Sequence, residues 1–520
     1  MAAAVLPVVV VGVVVLGGIS QDPLVGADYG LLELGTRDAW RGDMLVGPYS
    51  RTRWNHLGPA VWYWFGPFYA AAGQRTGGLA LAAVTLNLVG LGWSMWAVAR
   101  TAGQAAGWAA AAVALAFTAQ TGTSWIDQPW NPLMVIVPLV VAGVGTAGVV
   151  AGRRWHLVAG ASFAIQTHVG ALPVAGPFVA ITAVAVVIHL VRSRQGWIRP
   201  GGIAAGAGAL LWSAPVYEQL TREPGNLGLF VSYSRRPPGS HGLGDVFDVI
   251  GAHLTLVHSD LVHQLLIGGG VAPPGAEGSH LVAIIALLTA AAVATVANVV
   301  GRRPFEAALC GAPLLGVAAS TVSLMRLDGV LGRYLALPVL ALGFLLYLGL
   351  ALTVVAVIRT GVRRPLPPAV APIVAAGVST LSLIVASQEV RADHAAFPFS
   401  RLGGEVEGAE GAMAAIDAAA PDGRPVHVIL SDRSTIGEAT VVVNRLERAG
   451  TEVTVPPEWA FVFGERVGPR CPGVIATFHE LDPAKRREQP APTSETRTTT
   501  ALAQAYVTVA DAGPTPDCPP

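Results

Sequence analysis

Asp22, Asp28, Glu33, Asp38 and Asp43 place five carboxylates within residues 22–43, in a chain that has only 33 Asp and Glu among 520 residues. Arg37, Arg41, Arg51 and Arg53 are interleaved with them or follow closely. A carboxylate can take the proton of an attacking hydroxyl, and a guanidinium can grip a phosphate through two parallel hydrogen bonds. Taken singly, each charge is explained by solvating a loop. As a group they offer a base and a phosphate clamp in one place.

The rest of the chain decides where that place is. It is 52% hydrophobic and 13% charged, with a mean hydropathy of +0.54, whereas a soluble domain carries about 25% charge. This excludes a soluble enzyme, a disordered scaffold and a basic nucleic-acid binder, and it implies an integral membrane protein with many crossings. Lys+Arg and Asp+Glu balance at 33 each, so net charge identifies no partner. Apolar stretches occur at 4–19, 79–99, 104–121, 131–151, 155–170, 171–191, 201–217, 280–299, 305–324, 334–358 and 366–387. Arg100, Arg153–Arg154, Arg192/Arg194/Arg199, Arg302–Arg303 and Arg359/Arg363/Arg364 form basic clusters between them. Short Arg-rich loops stay cytoplasmic, so each interval between clusters crosses an even number of times. The stretch 155–191 therefore reads as two spans broken near Gln166–Gly170.

The expected fold is an all-α polytopic membrane protein with about eleven transmembrane helices, sited in a plasma membrane with a cytoplasmic N-terminus. Residues 1–19 fit a signal peptide less well, having no basic residue before the apolar run and only a weak cleavage site at Ser20–Asp22. The division is a transmembrane module over 1–387 and an extracytoplasmic domain over 388–520. The module's outer loops are 20–78 and 218–279, with a shorter one at 119–130. The tail alternates short apolar runs (426–430, 453–455, 473–478) with a helical pattern over 434–449, which predicts a small α/β domain. It carries Cys471 and Cys518, whose pairing the sequence leaves open; Cys310 falls in a span.

Within the first outer loop, residues 28–42 read as an amphipathic helix with Tyr29, Leu32, Ala39 and Trp40 on its lipid side. Residues 54–72 are aromatic and broken by proline, which suits a second helix at the membrane interface. Away from this loop, Arg326 and Arg333 depart from the positive-inside trend and are candidates to hold phosphate. Arg333 is preferred because no acidic residue is close to it in sequence. Arg235 and Arg236 in the long outer loop are weaker candidates. Asp127, Gln128, Trp130 and Asn131 in the SWIDQPWNP segment, and Gln166 and His168 at the bend, are polar groups at the outer ends of spans, where they tend to face a cavity. Trp125 and Trp130 could stack on sugar faces. There is no P-loop, no HExxH and no GxSxG, which argues against ATP-driven transport, a zinc protease and a lipase.

One span, an acidic first outer loop with Asp28-Tyr29 and Glu33, a helix, then His56-Leu57-Gly58-Pro59 and an aromatic run to Pro67: this order resembles the GT-C superfamily of membrane glycosyltransferases. That family often has H-P-P or H-P-G-P where this chain has His56-Leu57-Gly58-Pro59. The resemblance implies an enzyme moving a sugar from a polyprenyl-phosphate donor to an extracytoplasmic cell-envelope glycan or glycolipid, in contact with the bilayer and without nucleic acid. Asp28 is the expected base, with Asp38 second and Glu33 orienting it. Arg333, Arg326, Arg51, His56, Gln128 and His168 are the expected substrate-binding residues. No metal site or cofactor is expected, with a divalent cation left open. The alternative is a transporter or flippase of lipid-linked glycans, which would place charge near mid-bilayer and show an internal repeat; the spans show neither. A receptor or assembly factor acting through the tail is a third reading.

Overall fold

A computed structural model describes residues 26–361 apart from 43, 53, 122–123, 155–157, 193–195, 237–238, 240 and 256–278, together with Gly377 and residues 403–511 apart from 420–422, 432–434, 469–472, 481–495 and 500–504. The expected first span, the last span apart from Gly377, the 387/388 boundary, Asp22, Asp43, Arg53, Cys471 and Cys518 lie outside the described residues.

The other apolar stretches all fall on helices: α3 Gly77–Ala102, α4 Gln104–Thr121, α6 Ile136–Val150, α7 Val158–Thr167, α8 Leu172–Arg192, α9 Ile198–Thr221, α12 Ser279–Val300, α13 Pro304–Met325 and α14 Val339–Gly361. Among the described residues, five helical stretches are long and apolar enough to cross a membrane, namely Gly77–Ala102, Val169–Arg192, Leu281–Val300, Pro304–Met325 and Val339–Thr360. In lipid a helix is favoured because it satisfies every backbone hydrogen bond within itself. The outward faces are correspondingly apolar, with Val191, Leu210 and Val300 among the most exposed side chains. The chain is a polytopic, mainly helical membrane protein with a small C-terminal α/β domain.

The break near Gln166–Gly170 is present. α7 ends at Thr167, His168 is extended at φ −152°, and a 3-10 turn over Val169–Ala171 starts the next helix. The basic loops gather at one end of the bundle: Arg359 donates to the Ala102 carbonyl at 2.7 Å and Arg303 to the Thr360 hydroxyl at 3.0 Å. α13 runs from that end, after Arg303, to Arg326 at the opposite end.

Among the described residues, two helices precede the bundle. α1 is Ala27–Arg41, stopped by Gly42 in the left-handed region at φ 92°, and α2 is Ala60–Ala71. The expectation that α1 lays one face on lipid is corrected. Tyr29, Leu32 and Ala39 pack with Val61, Trp62, Phe65 and Tyr69 of α2. Leu31 and Leu34 instead join the core of the C-terminal domain. Trp40 alone of the four is well exposed. Both faces of α1 are covered because a second domain, distant in sequence, packs over it.

That domain is α15 Gly403–Ala419, β1 Val426–Leu430, α16 Ile436–Arg448, β2 Val453–Thr454, α17 Ala460–Phe463, β3 Val474–Glu480, β4 Thr496–Thr499 and β5 Ala505–Asp511. The sheet order is β2-β1-β3-β5-β4. β1 is parallel to β2 and β3, with Val426 opposite Val474, and β5 is antiparallel to β3 and β4. The apolar runs at 426–430 and 473–478 are thus the two central parallel strands, and near-continuous hydrophobicity is the mark of strands covered on both faces.

Candidate active site

A cavity of about 870 Å³ opens where α1, the 44–56 loop, the ends of α7, α9 and α13, helix α10 (Asn226–Ser234) and residues 460–467 of the C-terminal domain meet. Asp28, Asp38, Arg51, His56, His168 and Arg326 line it; Glu33, Gln128 and Arg333 do not.

Asp28 is half-buried in the first turn of α1, where the helix dipole favours a carboxylate. Its Oδ1 accepts from the Tyr49 hydroxyl at 3.0 Å and its Oδ2 from the Trp130 indole at 2.9 Å. Trp130 is placed indirectly. Asn87 of α3, fully buried, donates to the carbonyls of Ile126 at 2.8 Å and Trp125 at 3.2 Å. That fixes the short helix α5, Ser124–Asp127, which leads into Trp130. The ring of Trp130 lies 6.1 Å from that of Tyr334. Gln128 accepts from the Tyr29 hydroxyl, so its contribution is to hold the start of α1. Trp125 is fully buried against Phe117 and Phe344 and has no face for a sugar. Ala27, immediately before Asp28, has φ 46°, a left-handed conformation that costs an alanine roughly 1–2 kcal/mol.

Arg51, Arg222, Arg236 and Arg326 also line the cavity. Arg51 donates to the Val330 carbonyl at 2.8 Å and the Asp328 carbonyl at 3.0 Å. Arg326 reaches the Ser234 carbonyl at 3.4 Å, and Arg236 lies 5.9 Å over the Tyr233 ring. A phosphate would be a stronger partner for Arg326 or Arg236 than the Ser234 carbonyl or the Tyr233 ring. Arg333 is placed differently. It is 6% exposed in a 3-10 turn against helix α11, Leu243–Leu254. Burial lowers its pKa, which Asp248 of that helix partly restores. The acidic neighbour missing from its local sequence is supplied by the long outer loop.

The 44–56 loop carries both Tyr49, the partner of Asp28, and Arg51. Asn226 clasps it, its amide oxygen accepting from the Asn55 amide at 2.7 Å and its Nδ2 donating to the Asn55 carbonyl at 2.8 Å. Glu218 accepts from the Asn226 amide at 3.0 Å. Trp54 packs between Phe230 and Tyr233. Gly58 touches the bend at 166–170 so closely that a Cβ there would lie 2.4 Å from the Gln166 side-chain oxygen. The rings of His56 and His168 lie 4.5 Å apart in the cavity wall, tilted by 49°. Each uses Nδ1 as an acceptor, His56 from the Val169 amide at 3.2 Å and His168 from the Gly170 amide at 3.1 Å. Burial drives both pKa values down, His56 well below the usual value and His168 to about 4. Through these two bonds each ring helps to hold the bend.

Glu33 and Asp38 belong to a buried ion network between α1 and the C-terminal domain. Arg466 grips Asp38 with both arms, at 2.7 and 2.9 Å, and Glu447 at 2.6 and 3.0 Å. Arg37 pairs with Glu447 and, at 3.1 Å, with Glu33. Arg448 and the Tyr69 hydroxyl both reach Glu33 at 2.8 Å. Burial raises the Asp38 pKa against the pull of Arg466, whereas its two arginine partners hold Glu447 below the usual carboxylate range. Among the described residues no group of three or more His, Cys, Asp or Glu is placed to hold a metal ion.

No family model and no curated protein matches the sequence. Among solved structures, the crystal structure of ArnT from Cupriavidus metallidurans bound to undecaprenyl phosphate is similar over 98% of this chain and 99% of that one, with a TM-score of 0.55 and 17% identity. The chain has the GT-C fold. The same enzyme in its apo state matches at a TM-score of 0.45 and 15% identity. The similarity runs through both the helical bundle and the C-terminal domain, so it covers the elements that build the cavity. Sequence reading missed Tyr49, Asn226, Glu218 and Arg222. Only Arg222, beside an apolar helix end, carried a signal of the kind that singled out Arg326.

Proposed function

We propose that this chain is a glycosyltransferase that moves a sugar from a polyprenyl-phosphate donor to an extracytoplasmic cell-envelope glycan or glycolipid. The observation that carries the reading is Asp28: a half-buried carboxylate held by two neutral donors, in a cavity also lined by Arg51, Arg222, Arg236 and Arg326. The acceptor hydroxyl gives its proton to Asp28 as its oxygen bonds to the sugar C1. The C1–O bond to phosphate breaks, and the electron pair leaves with the polyprenyl phosphate. Arg51, Arg326, Arg236 and Arg222 stabilise that charge, as preorganised cations do where negative charge develops. Arg333 sits outside this clamp and supports the turn that carries Tyr334. The mechanism needs no cofactor, and a chelator titration tests for a required divalent cation.

The similarity to a structure with undecaprenyl phosphate bound supports the donor class. The basic end formed by Arg303, Arg359 and their neighbours supports an orientation with the cavity on the extracytoplasmic side of a plasma membrane. The test is a screen of polyprenyl-phosphate sugars with the purified chain. Turnover that disappears in Asp28→Asn, with donor binding retained, is the expected result. Equal turnover in wild type and Asp28→Asn would remove Asp28 from the reaction.

A further inference from the structure

Helix α1 presents the proposed base at its first turn, and the C-terminal domain holds it at three points beyond that turn. Glu33 meets Arg448, Arg37 meets Glu447, and Asp38 meets Arg466. The three carboxylates (Glu33, Asp38, Glu447) and three arginines (Arg37, Arg448, Arg466) balance, and all but Glu447 and Arg448 are under a tenth exposed at the side chain. Asn444 of α16 adds a hydrogen bond to the Gly30 carbonyl at 2.9 Å, two residues from Asp28. At about 1.5 Å rise per residue, Glu33 lies only some 7–8 Å along the helix from Asp28. The bundle side supplies the Tyr29–Gln128 and Asp28–Trp130 hydrogen bonds at the helix start. The axis of α1 is thus set jointly by the bundle and by a domain more than 400 residues away in sequence.

Arg466 is the centre of this arrangement. One guanidinium holds Asp38 on α1 with two arms and Glu447 on α16 with two contacts, so a single planar group fixes the angle between helix and domain. Its carbonyl contact with Phe463, at 3.0 Å, ties that angle to the 460–467 segment lining the cavity. Reacting groups tolerate little displacement: a misplacement near 1 Å can cost on the order of 100-fold in rate.

Resting on the reading above, we propose that Arg466 is a positioning residue for Asp28, and that the docked C-terminal domain sets the reach of the base. The domain is then part of the transfer machinery through geometry alone, without touching the reacting atoms.

The experiment uses the full chain in lipid nanodiscs. Arg466→Ala is expected to lower kcat per folded molecule at least tenfold while the KM for the polyprenyl-phosphate sugar stays within twofold. If Arg466→Ala yields no folded protein, Arg466→Lys carries the test, because a single ammonium cannot reproduce the two-armed fork; a three- to tenfold loss of kcat is expected. Unchanged kcat per folded molecule in the measured variant overturns the proposal. Hydrogen exchange over residues 27–33 is read in the same samples and needs no substrate. Faster exchange there in Arg466→Ala or Arg466→Lys supports the clamp even if no donor is ever turned over, and unchanged exchange removes it whatever the activity.

Discussion

Asp28 and Asp38 stand ten residues apart on one helix and have opposite surroundings. Both line the 870 Å³ cavity, but among the described residues the side-chain donors to Asp28 are a phenol and an indole. Asp38 is 5% exposed and gripped by both arms of Arg466, whose other contacts go to Glu447. A carboxylate with neutral donors can still accept a proton without destroying an ion pair. A carboxylate inside a balanced, buried network cannot change its charge without stranding an arginine. One end of α1 is therefore suited to chemistry and the other to docking. Charge density in the sequence marks both ends alike, and only the partners distinguish them.

Asparagine at each position is the sharpest way to break this contrast. Asp28→Asn keeps shape and hydrogen-bonding capacity but removes the base, so turnover should fall by about 100- to 10,000-fold, the usual contribution of a general base. Thermal stability should stay close to wild type. Asp38→Asn should do the reverse to stability. Removing one partner of a buried pair costs about 3–5 kcal/mol because the other charge is left uncompensated. A large drop in melting temperature, with early proteolysis between the two domains, is the expected readout. If the two variants exchange these behaviours, the roles assigned to the ends of α1 are reversed.

The parts of this molecule that depend on local pattern were legible in the sequence. Apolar length and arginine placement located the helices and the bend at 166–170, and alternation located β1, β3 and α16 almost to the residue. The charge-rich α1 and the aromatic α2 were also visible as helices. What covers α1 was not, because Arg37 and Glu447 are 410 positions apart and neither carries a local sign of the other. Arg333 shows the same limit. Its isolation from acids holds along the chain and fails in space, where Asp248 of α11 faces it. Arg51 and Arg326 were picked out by composition and do line the cavity. Tyr49 and Asn226 do ordinary loop work by sequence, and only the fold brings one to Asp28 and the other to Asn55.

A smaller effect sharpens the contrast between arginines in the cavity and the one outside it. Arg51→Ala and Arg326→Ala should each weaken undecaprenyl phosphate binding about tenfold, close to 1.4 kcal/mol, as measured by titration in detergent. Arg333→Ala should leave that affinity within twofold and instead lower stability, since Arg333 is buried in the turn that packs against α11. A tenfold loss of affinity in Arg333→Ala alone would move the phosphate clamp to the far side of the 326–335 turn.

The smallest expected effect concerns the hinge between these regions, where His56 and His168 join the first loop to the bend. Both ring Nδ1 atoms accept a backbone amide, so protonating either ring at that atom removes an acceptor and charges a buried wall. An unfolded histidine titrates near 6.5, whereas His168 in the fold is held at about 4. The unfolded chain therefore binds more protons between those values, and stability is complete above about pH 6.5 and declines as pH falls toward 4. At pH 5.5 the loss attributable to His168 is about 1 kcal/mol, one unit below the free value being worth about 1.4. Carboxylates also weaken the fold on acidification, so the informative quantity is a difference. His168→Asn places an amide oxygen where Nδ1 accepts from Gly170, which keeps the bend and removes the titration. The change in melting temperature between pH 7 and pH 5.5 should be smaller in that variant than in wild type. An equal change in both would mean that the bend tolerates a charged ring, and that the pairing of His56 with His168 does not set the shape of the cavity wall.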